Sequence, residues 1–151
     1  MSHPMPASGW MFVVKKDLNN LSDWEYGVYP VAYFEEGLPW FSTPASSKLR
    51  KPSASEQFWG TLVSPGQNSP GAWLALKATR RAYLERVREG LRDFLAQEAA
   101  DGRKVTRQEL EDFGTDSFSA VAVQAVLRDP DFQVSHDQST GVSYYSLFER
   151  I

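Results

Sequence analysis

The chain of 151 residues has no cysteine and only two histidines, His3 and His136. The first absence excludes a disulfide framework, a thiol nucleophile and thiolate-ligated zinc or iron–sulfur centres. The second leaves a histidine-based metal site without ligands, so the sequence predicts no cofactor and no metal. No apolar run approaches the ~18 to 20 residues of a membrane span. The opening MSHPMPASGW has neither the basic start nor the apolar stretch of a signal peptide, and the expected setting is a bacterial cytosol. Positive charge is also missing in bulk: 16 Lys and Arg face 19 Asp and Glu, a net charge of −3. A dedicated nucleic-acid binder usually carries a basic domain, so any contact of that kind must come from a local patch. Nucleotide, dinucleotide and zinc-protease signatures do not occur.

What is present divides unevenly. All five Trp and 12 of the 20 aromatic residues precede Leu74, with most of the Pro and Gly. Trp10 to Lys15, Tyr26 to Glu35 and Phe58 to Val63 are short β-branched or aromatic runs bounded by turn residues, the pattern of strands. Glu35-Glu36-Gly37 reads as a hairpin tip with Leu38 to Ser42 returning. Pro30 marks an edge strand or a bulge, because proline cannot donate to the ladder. Ser42 to Ser55 is expected as a polar loop carrying Lys48, Arg50 and Lys51, and SPGQNSPG (64–71) as a linker. The predicted organisation is a flexible stretch 1–9, an aromatic β-rich part 10–71, and a helical part 72–151, packed together as one α+β unit.

Ala72 to Ala100 reads as one long helix in which Tyr83, Leu84, Val87, Leu91, Phe94 and Leu95 form an apolar stripe. Gly102 follows its end as a left-handed cap. Thr106 and Glu109 form a capping box for a helix from Arg107 to about Phe113. Asp116 or Ser117 is expected to cap a third helix, stopped after Arg128 by Asp129-Pro130. Phe132 to Ser135 and Val142 to Phe148 then make a hairpin around HDQSTG.

That order, with the phrases KVTRQEL, FSAVAVQAVLRDPDFQV and GVSYYSLFER, resembles a winged helix-turn-helix over Tyr83 to Ile151. The resemblance implies that the third helix enters the DNA major groove while the wing tip touches the backbone. On a helical wheel set from Phe118, however, Val121, Ala122, Ala125 and Val126 face the core. Ala120, Val123 and Leu127 lie opposite, with Gln124 between the faces. A base-reading helix presents Arg, Lys, Asn or Gln, and this one has no cation before Arg128. The sequence therefore nominates Ala120, Val123, Gln124 and Leu127 as a protein interface or as a second packed face. The candidate contacts for nucleic acid or an acidic partner are Lys77, Arg81, Arg88 and Arg92 on the long helix, Arg103, Lys104 and Arg107 beyond it, and Lys48, Arg50 and Lys51.

Paired titratable groups of the kind that general acid–base catalysis needs are not evident: Glu35 and Glu36 are turn residues and His136 sits alone on the hairpin. The functional expectation is a non-enzymatic macromolecule-binding protein: a small bacterial or mobile-element adaptor, inhibitor or immunity-type factor acting through a protein partner or self-association. The alternative is a DNA-binding accessory or regulatory protein. No small-molecule substrate is indicated.

Overall fold

The computed structural model describes residues 4–147, which form an α+β chain of four helices, a six-stranded antiparallel sheet and a three-stranded sheet. It divides into two compact units, Met1–Arg80 and Arg81–Ile151. The boundary falls inside the long helix rather than at the linker that precedes it, so the helix gives its first turns to one unit and the rest to the other.

In the first unit, β2 (Met11–Lys15), β3 (Tyr26–Glu35), β4 (Leu38–Thr43) and β5 (Ser46–Arg50) follow one another as an antiparallel meander, and β6 (Gly60–Val63) returns to pair with β2. The β3–β4 turn is made by Glu36 at φ 55° and Gly37 at φ 76°, the left-handed pair that a two-residue hairpin requires. β3 is a central strand, so the edge reading of Pro30 does not hold. Its ring instead sits where β3 changes partners: Tyr26 to Pro30 lie against β2, while Val31 to Glu35 lie against β4 with a register shift at Val31/Tyr33. The missing N–H falls at that handover.

Three segments depart from the sequence expectation. Residues 1–9 are not all loose: β1 (Met5–Pro6) pairs with Phe34 and Tyr33, and Ala7 is buried. Ser42 to Ser55 is not a loop, because β5 pairs with β4 and is followed by helix α1 (Ala54–Phe58), which takes Phe58 out of the strand assigned to it. β5 is exposed at every residue, so no polar–apolar alternation announces it. Its Arg50 guanidinium lies 4.8 Å from the Phe41 ring centroid. The signal for α1 was legible: Ser53 and Glu56 form a reciprocal capping box. Nor is the 64–71 segment wholly linker, since α2 (Ser69–Ala100) starts within it. Pro70 lies in the first turn, where its missing N–H has no partner to lose, and Asn68 accepts from the Gly71 and Ala72 amides through Oδ1 and its carbonyl.

The sheet buries both faces. Phe12, Val14, Val31 and Phe41 form one core. Val13 and Val63 form the other with Trp73 from the first turns of α2. Trp73 Nε1 donates to the Trp24 carbonyl at 3.1 Å and its ring stacks on Tyr26.

In the second unit, β7 (Val105–Thr106) leads into α3 (Arg107–Ser117), then α4 (Ala120–Val126), β8 (Phe132–Asp137) and β9 (Val142–Leu147), with sheet order β7-β9-β8. Thr106 and Glu109 form the expected capping box. α3 runs four residues further than the sequence reading, and the N-cap position of α4 is Ser119 rather than Asp116 or Ser117, with its end before Arg128. The hairpin forms where expected, but its first strand runs on to Asp137, because His136 and Asp137 pair with Ser143 and Val142 and shorten the expected tip; Phe148, the assigned last residue of its second strand, lies outside the described residues, as does His3. The helices share a core of Leu84, Val87, Leu91, Leu95, Leu110 and Val126.

Candidate functional site

The α4 face nominated as an interface is only half a surface. Ala120 and Gln124 are exposed, but Val123 is 0 % and Leu127 8 % accessible. The wheel fails at its origin. Phe118 is extended at φ −136°, ψ 167°, outside the helix, and meets Tyr83 edge-on instead of belonging to the core face of α4. Gly114 completes the burial of Val123. A Cβ there would lie 2.9 Å from both Val123 γ-methyls, so the missing side chain lets α3 and α4 approach closely. Gln124 hydrogen-bonds Glu111, the residue that also receives the Arg107 guanidinium at 2.9 Å. The Arg107 contact, with the Gln124 bond as a smaller contribution, holds the Glu111 carboxyl below its ordinary range.

The basic residues scatter. Lys77 belongs to the first unit, its ammonium 5.7 Å from the Trp24 ring centroid. Arg81 is exposed. Arg88 bridges Glu85 and Asp129, which removes it from any free stripe. Arg50 donates to Glu56 through both terminal guanidinium nitrogens at 2.6 and 2.9 Å, and that hydrogen bonding lowers the Glu56 pKa. Lys48 and Lys51 are exposed on and after β5.

Arg92, Arg103 and Lys104 are brought together. They border a groove of about 740 Å³ between the last turns of α2 and the β7-β9-β8 sheet. Its origin lies in side-chain size. Directly paired residues of antiparallel strands share a face, so Val134 lies on the same side of the sheet as its partner Tyr145, and Phe132 beside Leu147. Against that apolar strip α2 presents Leu95 and then Ala96, Ala99 and Ala100, whose small side chains leave a gap. Of the four strand residues, Tyr145 and Leu147 line the groove, whereas Phe132, which is buried, and Val134, which is 55 % accessible, lie outside its lining. The described lining residues include three cations and no carboxylate. Arg92 and Arg103 keep neighbours in Asp131 and Glu98, but at 3.7 and 3.8 Å, and their side chains remain 50 % and 73 % accessible. The Lys104 ammonium lies 5.6 Å from the Tyr144 ring centroid. The sequence reading had these three cations but not the groove, because Ala96 and Ala99 register as ordinary helix formers until a sheet is placed opposite them.

A second concentration of chemistry went unnoticed in the sequence. Lys15 ends β2 at 2 % accessibility, and its ammonium donates to the carbonyls of Asp17 and of Asn20, the latter at 2.6 Å. Trp59 and Trp24 flank it with ring centroids at 5.6 and 5.9 Å. Burial lowers its pKa, against the opposing pull of Asp17 and Asp23. The box is filled by the chain's own lysine, and its work is to fasten the 16–25 loop to the sheet. His136 is exposed on β8, its Nδ1 3.1 Å from Ser143 Oγ. Among the described residues no His, Asp and Glu side chains are grouped as a metal ion would need, and no helix is long and apolar enough to cross a membrane.

No protein-family model, curated protein or solved structure matches the chain.

Proposed function

We propose that this chain is a non-enzymatic binding protein, of the adaptor, inhibitor or immunity type expected for a bacterial cytosol or a mobile element, and that it engages another protein through the groove of its second unit. The observation that carries this reading is the open groove in which exposed Ala96, Ala99 and Ala100 of α2 and half-buried Leu147 of β9 lie beside buried Leu95 and Tyr145. Apolar surface left open beside a folded core is characteristic of interaction sites, and an open groove between a helix and a sheet suits a peptide segment. The interface nominated on α4 gives way to this one, because Val123 and Leu127 are already buried.

A photo-crosslinking residue at position 99 tests the reading, with Lys48 as the control position. The expected result is one protein crosslinked from position 99 alone in extract of the native cell, and lost when Ala96→Trp fills the groove. Equal labelling from both positions, or labelling that survives Ala96→Trp, refutes it.

The DNA-binding alternative rests on element order alone. Three helical segments followed by a hairpin, with a short strand before α3 joined to β9, keep the element order on which the winged-helix resemblance of the second unit rests. Against it, α4 offers only Ala120 and Gln124 as exposed residues before Arg128, and Arg88 and Arg107 are occupied by carboxylates. Specific binding tighter than ~10⁻⁸ M in a gel-shift assay at physiological salt, abolished by charge reversal at Arg81 and Arg92, favours DNA over protein.

A further inference from the structure

We infer that the occupant of the groove is an acidic amphipathic helix of a partner protein, one whose apolar side chains are framed by carboxylates about two turns apart. This rests on the groove being a protein-binding site and adds the chemistry of what it takes.

The argument is charge placement. Arg92 lies at one end of the helical wall; Arg103 and Lys104 lie past the other end, beyond Ala100. Ala100 stands eight residues past Arg92, a rise of roughly 12 Å along the helix axis at 1.5 Å per residue, so the backbone positions that carry the two sets of cations lie about two turns apart. Between them the helical wall is Ala96, Ala99 and Ala100 over buried Leu95, and the sheet side is Leu147 and buried Tyr145 with Ser135, Tyr144 and Ser146. An occupant matched to this pattern needs apolar groups in the middle and negative charge at both ends. A single-headed amphiphile, such as a fatty acid, satisfies one end and leaves the other unpaired. On a helix, residues seven or eight apart return to one face, about 12 Å along the axis, and the apolar positions at spacings of three and four fall between them. The side chains of Arg92 and Arg103 are long and half or more accessible, and each lies more than 3.5 Å from its present carboxylate neighbour, so both can turn to a partner's acid without abandoning a close pair. Complementary charge at an interface fixes register and rejects wrong partners more than it adds affinity.

The probe is a fluorescein-labelled helical peptide of about 16 residues carrying two Glu about eight residues apart on its leucine face. It is compared with the same peptide bearing Lys in place of Glu, and with sodium oleate. Fluorescence anisotropy should show saturable binding of the Glu peptide to the full chain. That binding should weaken at least about tenfold in Arg92→Glu with Arg103→Glu, and the Lys peptide should reverse the order, preferring the charge-reversed variant. Circular dichroism checks that the variant is folded, which the exposure of both arginines favours. Equal binding of the two peptides, binding of neither, or saturable oleate binding without peptide binding overturns the inference. In the last two cases a crosslink from position 99 that Ala96→Trp abolishes still upholds the protein-binding site, so the two failures are distinguishable.

Discussion

The contact between α3 and α4 offers a volume exchange whose outcome can be worked from the structure. Gly114 is buried, and a Cβ added there would approach both γ-methyls of Val123 to 2.9 Å and Leu91 Cδ2 to 3.2 Å. Both neighbours are 0 % accessible and have no solvent to move into. Gly114→Ala therefore sets two effects against each other. Alanine in a helix interior gains about 1 kcal/mol over glycine, while overpacking a tight core costs about 1 to 3 kcal/mol. The net expectation is a loss of about 1 kcal/mol. Val123→Ala alone removes two buried methyl groups, about 1.6 kcal/mol of transfer free energy, and leaves a cavity worth about 1 kcal/mol more. In the double variant the new methyl enters the space that the valine vacates, the clash disappears and the helix gain is realised. The two losses should then fail to add by at least about 1 kcal/mol, which for a unit of this size is about 4 to 8 °C in Tm. The assay is urea and thermal unfolding followed by far-UV circular dichroism for wild type, both singles and the double. Strict additivity, or a Gly114→Ala single that is stabilising, would show that the helices do not meet as described.

Other perturbations give further checks. Lys15→Met should destabilise the first unit by about 1 to 3 kcal/mol, since the Asp17 and Asn20 carbonyls lose their donor. Tryptophan fluorescence reads this directly, because all five Trp lie in that unit; an unchanged urea midpoint would refute the fastening role. Burial places the Lys15 pKa below the ordinary lysine range. Between the lowered and ordinary values the unfolded chain holds a proton that the folded chain has released, so wild-type stability should rise relative to Lys15→Met as pH climbs through that window; a falling difference would contradict the assigned direction. Ser53→Ala should cost about 1 kcal/mol by removing the cap of α1, and Glu56→Gln should cost stability at neutral pH. The Glu56 contribution, held by a depressed pKa, should vanish as pH falls through that depressed value; a Glu56→Gln penalty that persists in acid would count against it. Trp73→Phe loses the 3.1 Å bond to the Trp24 carbonyl and part of a buried ring, and a urea midpoint equal to wild type would show that neither matters.

The sequence by itself determined the local elements wherever one residue type has one physical use. The Thr106–Glu109 box started α3 where expected, Glu36-Gly37 made a two-residue turn because glycine tolerates positive φ, and β3 has the predicted bounds because turn residues enclose an aromatic β-branched run. Polar stretches with no alternation misled: β5 is held by pairing with β4, a contact distant side chains make possible and its own exposed residues do not announce. The cations of the groove were legible both as charges and as a patch, yet the gap between them was not. Periodicity tells which residues share a face and not what stands opposite. Only the folded chain decided that α4 is packed around Val123 because Gly114 has no side chain, and that alanines at 96 and 99 face a sheet across a gap. Both are matters of volume between elements distant in sequence, and a helical wheel carries no volume.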